Sequence, residues 1–169
     1  MDRNTEFRQL MSPYVPEELI EFCIEQGFTV APASTRYHGA YDGGLYDHSK
    51  AVMDSLVGLT NNLRLQWELE RSPYVIGMMH DLCKIDAYVK EGGKWQYNTH
   101  QSHRGHGDKS VIMLKHFMDI TEEEELAIRY HMGAYVKNDW DGFDRAIRMY
   151  PNTLYTHTAD MVASKIVGI

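Results

Sequence analysis

Helical signals recur along almost the whole chain, and they restrict its fold more than any other feature does. Residues 17–26 carry a helical pattern that stops at Gly27, a residue suited to a helix C-terminus. Asp47 is positioned to cap the next predicted helix, and Thr121 with Glu124 forms a capping-box pattern further along. The predicted helices cover residues 17–26, 48–63, 73–82, 108–117, 121–131 and 152–166.

Only one segment has a strand pattern. The Gly-Gly pair at 92–93 separates residues 87–89 from residues 94–97, and this arrangement is typical of a short β-hairpin. We therefore predict an all-α fold: a bundle of about six to eight helices with one short inserted β-hairpin.

The length and composition of the chain indicate one globular domain. With 169 residues, of which 43% are hydrophobic and 24% are charged, it can bury a sizeable core. It has no internal repeat and no long linker, so we expect a single domain over residues 1–169. No apolar run approaches the roughly 20 residues that cross a bilayer, and the N-terminal segment lacks the apolar core of a signal peptide. We therefore expect a cytoplasmic protein without a membrane partner.

The charge of the chain restricts its partners. The formal net charge is −7, whereas proteins that bind nucleic acid without sequence preference need a basic surface. We therefore expect no non-specific nucleic-acid binding. A local basic pocket that admits a nucleotide or a strand end remains compatible with this charge.

The two cysteines, Cys23 and Cys83, do not indicate a metal-binding motif by themselves. Their spacing matches neither a CxxC pair nor a zinc ribbon. A chain of this size does not need a disulfide, so we expect two free and partly buried thiols.

Histidine is unusually frequent, with nine residues in the chain. His80 and Asp81 are adjacent, and they lie within the apolar stretch VIGMMHDL. Burial of an ionisable pair in such a segment is unfavourable unless something compensates, and a divalent cation would do so. This pair is therefore the first candidate for a metal site.

Further imidazoles and carboxylates are distributed about one to each predicted helix. If the helices pack around a common axis, these side chains converge on one centre, as in other metal sites inside helical bundles. Imidazole with carboxylate suits iron, manganese, zinc, nickel or cobalt, and the lack of a thiolate set argues against a structural zinc site. The candidates besides the His80-Asp81 pair are His48, His106, His131 and Asp160.

These residues resemble the motif of the HD-domain superfamily of metal-dependent phosphohydrolases. In that family a His, a His-Asp pair and a distant Asp lie on different helices. The matching segments are GGLYDHSKAV with His48, MMHDLCKI with His80-Asp81, and HTADMVAS with Asp160. The resemblance covers residues 43–164 and implies one HD domain.

Two further histidines resemble those of the two-metal members of this family, the HD-GYP phosphodiesterases and the HD domain of a bacterial 3′–5′ exoribonuclease. His106 and His131 fall between the HD pair and the final Asp. The steps from His48 through His80, His106 and His131 to Asp160 are 32, 26, 25 and 29 residues. The chain departs from the family at two places, because Cys83 replaces a glycine and no GYP motif follows His131. An HD-GYP cyclic-dinucleotide phosphodiesterase is therefore not expected.

The resemblance implies a role for each matching residue. Asp81 would bridge two ions with its two carboxylate oxygens, and a metal-activated hydroxide would attack phosphorus. Lys84, one helical turn after Asp81, would hold a phosphate oxygen or assist the leaving group. Arg104 and Lys109 are further candidates for substrate binding. The ligands implied for two divalent ions (Mn, Fe, Co, Ni, Mg or Zn) are His48, His80 and Asp160 for one, His106 and His131 for the other, and Asp81 for both.

The function implied by the resemblance is hydrolysis of a phosphate ester or phosphodiester in a nucleotide-type substrate. The compact chain favours a small substrate, and small HD proteins are often homodimers. One alternative is an HD-type mixed-valent di-iron oxygenase, which has the same six ligands and a similar lysine. The step of 29 residues from His131 to Asp160 fits the phosphodiesterase-like branch better. A non-catalytic sensor is a third reading, but such modules typically lose ligands.

Overall fold

The computed structural model describes residues 1–101, 106–133 and 139–169. Over these residues the chain is mostly α-helical and has one two-stranded antiparallel hairpin, which confirms the predicted fold class. None of the described helices is both long and apolar enough to cross a membrane. The helices are α1 (Arg3–Met11), α2 (Glu17–Glu25), α3 (Gly44–Leu63), α4 (Ser72–Met79), α5 (Gly107–Lys115), α6 (Glu122–Arg129), α7 (Trp140–Met149) and α8 (Asn152–Met161), and the strands are β1 (Tyr88–Glu91) and β2 (Lys94–Tyr97).

Helices α3 and α4 pack closely against each other at the centre of the domain. Their closest approach is at Gly77, where an added Cβ would lie 2.3 Å from the Cα of Met53. The surrounding core includes fully buried side chains from several helices, among them Phe7, Leu19, Leu56 and Ile128. This tight contact places the C-terminal end of α4 beside the N-terminal half of α3.

The start of α3 differs from the prediction that Asp47 caps this helix. The helix begins at Gly44, because Gly43 adopts a left-handed conformation with φ of 87° immediately before it. Asp47 lies in the first turn, where its carboxylate accepts hydrogen bonds of 2.9 and 2.8 Å from Arg3. Arg3 belongs to α1, a helix that the sequence patterns did not predict.

The chain changes direction at the His80-Asp81 pair. The helix predicted over residues 73–82 ends at Met79, and His80 is its C-cap. Asp81 has φ of −105° and ψ of 21°, outside helical geometry, and a short 3-10 helix, Leu82–Asp86, follows. After this break, the Asp81 carboxylate lies within 4 Å of His131 and His106, which belong to other segments.

The acidic run at residues 122–125 packs partly inside the protein. The predicted capping box is present, since Glu124 N donates to Thr121 Oγ1 over 3.1 Å and Thr121 N donates to the Glu124 carboxylate over 3.0 Å. Glu124 is also fully buried, and its Oε1 accepts hydrogen bonds from Ser72 (3.1 Å) and Arg71 (3.3 Å). This carboxylate therefore joins α6 to the start of α4.

We expect Glu124→Ala to lower the free energy of unfolding by about 2 kcal/mol or more, because it removes a cap and leaves the buried Ser72 hydroxyl without a partner. Urea denaturation of the purified variant measures this loss. The control is Glu125→Ala, which removes only an exposed ion pair with Lys115 and should cost below about 1 kcal/mol. Equal losses in the two variants would contradict a structural role for Glu124.

Candidate metal centre

The six predicted ligands converge around Asp81. The end of α4 and the turn after it carry His80 and Asp81, while α3 carries His48 and α8 carries Asp160. His131 follows the end of α6, and His106 immediately precedes α5. Ligand atoms within 4.8 Å of one another form three groups, which are His48/His80/Asp160, His80/Asp81/His131 and Asp81/Cys83/His106. These buried His, Asp and Cys groups could hold a metal ion.

The first group has the spacing of ligands around one ion. His48 Nε2 lies 3.2 Å from Asp160 Oδ1 and 3.3 Å from His80 Nε2. Nitrogen and oxygen ligands about 2.1 Å from a shared ion lie roughly 3.0–3.4 Å apart. The spacing of these three side chains is therefore compatible with a shared divalent ion.

Asp81 lies between this group and the remaining histidines. It is 2% exposed, and its Oδ1 has no hydrogen-bond partner. The nearest imidazole nitrogens to Oδ1 are His131 Nε2 at 3.6 Å and His106 Nδ1 at 3.8 Å. A buried carboxylate oxygen without a partner is unfavourable, and a cation at this position would satisfy it.

The three buried histidines are oriented in the same way. His80 Nδ1 lies 2.8 Å from Gly77 O, His131 Nδ1 lies 2.7 Å from Ile128 O, and His48 Nδ1 lies 2.8 Å from Ile169 O. A carbonyl oxygen can only accept, so each Nδ1 carries the proton. In the neutral ring this leaves the Nε2 lone pair free to bind a metal, as in many histidine-ligated sites.

The two carboxylates are anionic at neutral pH. Burial raises the pKa of Asp81, but the Lys84 ammonium and a neighbouring imidazole outweigh it and hold the pKa well below its usual range. Burial likewise raises the pKa of Asp160, and the adjacent His48 side chain outweighs it, so that the pKa falls to about 2. The charge required of metal-binding carboxylates is therefore already present.

The imidazoles differ in protonation. Burial lowers the pKa of His80 and of His106, which favours the neutral form that binds metals. Burial also opposes charge on His131, but the nearby Asp81 carboxylate outweighs this effect and raises its pKa. A metal ion at His131 Nε2 must displace any proton held there.

A cavity of about 410 Å³ is lined by four of the six predicted ligands, which are Asp81, His106, His131 and Asp160. Lys84 lines it, and Lys84 Nζ lies 2.6 Å from Asp81 Oδ2. Lys109 does not line the cavity. Its Nζ donates a hydrogen bond of 2.5 Å to Asp86 Oδ1 instead. Arg104, the other predicted substrate-binding residue, lies outside the described residues.

Two cavity-lining histidines were not among the predicted site residues. His38 lies in the loop before α3, and its ring centroid is 4.7 Å from that of His48. His157 Nδ1 donates a hydrogen bond of 2.7 Å to His131 O. No spacing in the sequence distinguishes His38, whereas His157 lies three residues before Asp160 and therefore on the same side of α8.

Comparison with known proteins identifies no relative of this chain. No protein-family model, no curated protein and no solved structure matches the chain. The candidate metal centre therefore rests on the residues and distances of this chain.

We expect divalent ions to stabilise the protein through this centre. At a free Mn²⁺ or Co²⁺ concentration of about 100 times Kd, stability should rise by about 2.7 kcal/mol, and the melting temperature by roughly 5–10 °C. Thermal unfolding with and without EDTA measures this shift. His80→Gln should abolish most of it, whereas His116→Gln, a change at an exposed residue, should retain it. A shift of the same size in both variants would place metal binding elsewhere.

Proposed function

We propose that this chain is a metal-dependent phosphohydrolase of the HD type, which cleaves a phosphate ester or phosphodiester of a nucleotide-type substrate. The observation that carries this proposal is the convergence of the six candidate ligands around the buried Asp81 carboxylate, next to a cavity. Side chains from segments far apart in sequence meet there. Burial of so many ionisable groups is unfavourable, and a bound cation would offset this cost.

The residues divide naturally between two metal positions. Asp81 lies between the two positions, and its separate oxygens face different histidines. When bound, two divalent ions would lower the pKa of a bound water and offset charge on the phosphoryl oxygens. One ion would be held by His48, His80 and Asp160, and the other by His106 and His131, with Asp81 shared.

Among the described residues that line the cavity, Lys84 carries the positive charge nearest to Asp81. Burial lowers the pKa of Lys84, but Asp81 outweighs that effect and raises the pKa above its ordinary value, so the ammonium persists at neutral pH. Its Nζ can donate to a phosphate oxygen while it still contacts Asp81. Lys84 would thereby orient the phosphate and offset its charge.

The walls of the cavity support a substrate with one flat, weakly polar group. Two tyrosines and two methionines line the cavity, namely Tyr37, Tyr88, Met132 and Met161. Aromatic rings can stack on a nucleobase, and thioethers adapt to irregular apolar surfaces. A volume of about 410 Å³ is within the range of small-ligand sites, and it suits a mononucleotide or one terminal nucleotide of a strand.

Phosphorus NMR tests this proposal directly. Metal-loaded protein is incubated with nucleotides, cyclic dinucleotides and short oligonucleotides, in parallel with Asp81→Asn. A new phosphate or monoester signal that only the wild type produces supports hydrolysis and identifies the substrate class. Full activity with redox-inert Zn²⁺ or Mg²⁺ alone excludes the di-iron oxygenase alternative. A silent spectrum from metal-replete protein contradicts hydrolysis of these substrate classes.

We expect Lys84→Gln to lower kcat/KM by about a hundredfold, because it removes a charge that contacts the phosphate. Steady-state kinetics on the substrate found by NMR measures this loss. The matched control is Lys109→Gln, since Lys109 pairs with Asp86 away from the cavity. This variant, assayed well below its melting temperature, should stay within about threefold of wild type, and the reverse ranking would contradict the role of Lys84.

A further inference from the structure

Cys83 lies at the metal centre, on the side that faces His106. It is the second residue of the 3-10 helix Leu82–Asp86, and it is 3% exposed. Its backbone N–H donates a hydrogen bond of 3.0 Å to Ser110 Oγ, which anchors this turn against α5. The backbone at Cys83 is therefore fixed against α5, and the side chain is buried.

The Cys83 sulfur has the spacing of a metal ligand. Its Sγ lies 3.7 Å from His106 Nδ1. A sulfur about 2.3 Å and a nitrogen about 2.0–2.1 Å from a shared tetrahedral ion lie roughly 3.6 Å apart. Asp81 completes the group, because its ligand atom lies within 4.8 Å of both others.

A second observation, independent of the cysteine, indicates a cation here. Asp81 Oδ1 is buried without a hydrogen-bond partner, and it lies 3.8 Å from His106 Nδ1 and 3.6 Å from His131 Nε2. In a protein that held no ion at this position, this oxygen would remain unsatisfied. Simple packing of a buried thiol does not account for the unpartnered carboxylate beside it.

We propose that Cys83 is a thiolate ligand of the metal position that Asp81 Oδ1 and His106 form, and that this position therefore prefers a thiophilic divalent ion such as Zn²⁺. Manganese and magnesium prefer oxygen ligands, whereas zinc binds sulfur well. The thiol proton is released to solvent as the sulfur–metal bond forms. The His106 side chain, 43% exposed, lies on the solvent side of this position.

This inference rests on the metal centre of the proposed function, but it does not depend on phosphate hydrolysis. Cobalt(II) is the probe, because thiolate ligands give Co²⁺ an intense charge-transfer absorption in the near ultraviolet that nitrogen and oxygen ligands do not. Metal-free protein is titrated with Co²⁺ as wild type, as Cys83→Ser and Cys83→Ala, and as Cys23→Ala. Cys23 is buried in α2 and belongs to none of the candidate ligand groups, so it controls for loss of a thiol.

The expected result is a near-ultraviolet band in the wild type and in Cys23→Ala that both Cys83 variants lose. The weaker visible bands from the remaining ligands should persist in all four proteins. Bound Co²⁺ without the near-ultraviolet band in the wild type would overturn the role of Cys83 and leave the rest of the metal centre intact. Absence of any Co²⁺ binding would overturn both proposals. A band without phosphate release would support the thiolate ligand and count against the hydrolase.

Metal selectivity gives a second readout. Zinc should bind more tightly than manganese to most such sites, so the relevant quantity is the ratio of the two affinities in wild type and variant. We expect Cys83→Ser to reduce the Zn²⁺/Mn²⁺ affinity ratio by about tenfold or more, measured by competition titration. An unchanged ratio would contradict thiolate ligation.

Discussion

Replacement of Asp81 by asparagine should abolish metal-dependent phosphate release, with kcat/KM lowered by about a thousandfold or more. The substitution conserves shape but removes the charge that the two proposed metal positions would share, and metal ions contribute several kcal/mol to transition-state stabilisation. The same change leaves the Lys84 ammonium, 2.6 Å from Asp81 Oδ2, without its partner charge. Steady-state kinetics and elemental analysis of the purified variant measure activity and metal content together.

The control for this variant is Asp86→Asn. Asp86 lies in the same short helix, but its carboxylate pairs with Lys109 and does not belong to any candidate ligand group. We expect Asp86→Asn to keep its metal content and most of its activity. A folded Asp81→Asn protein with full activity and full metal content would refute the proposed role of Asp81 as a metal ligand.

The substitution Gly77→Ala should lower the free energy of unfolding by about 3 kcal/mol, although helix propensity alone favours alanine. An added Cβ would lie 2.3 Å from the Cα of Met53, so α3 and α4 would have to separate. Urea denaturation measures the loss. Because His80 follows in the same segment, we also expect weaker metal binding.

Gly58→Ala is the matched control on the neighbouring helix α3. An added Cβ at Gly58 has nothing within 4 Å, so only the helix propensity changes. This variant should gain about 0.5–1 kcal/mol. A similar gain in Gly77→Ala would show that the two helices do not need this close approach.

Several features of the fold could be predicted because they depend on neighbouring residues. Gly27 ends α2 with φ of 83°, and Thr121 with Glu124 forms the expected capping box. The hairpin also forms where the Gly-Gly pair predicts it, between Tyr88–Glu91 and Lys94–Tyr97. Each of these patterns is a local preference of backbone geometry or capping, which the sequence expresses directly.

Other features could not be predicted because they depend on which helix packs against which. Glu123 and Glu124 belong to an acidic run that local rules assign to a solvated helix start, yet both are buried. Their partners are Ser72 and Arg71 at the start of α4 and Asn152 of α8. No short-range pattern contains such pairings.

The sequence by itself determined the helical character of this protein, its hairpin and the residues able to bind a metal. The candidate ligands could be identified from residue type and order, because the resemblance to the HD motif depends only on these two properties. Only the tertiary structure decided that they meet around Asp81, that His38 and His157 line the same cavity, and that Cys83 faces His106. The physical reason is that ligand geometry at a metal site depends on distances between helices, and packing of the core sets those distances.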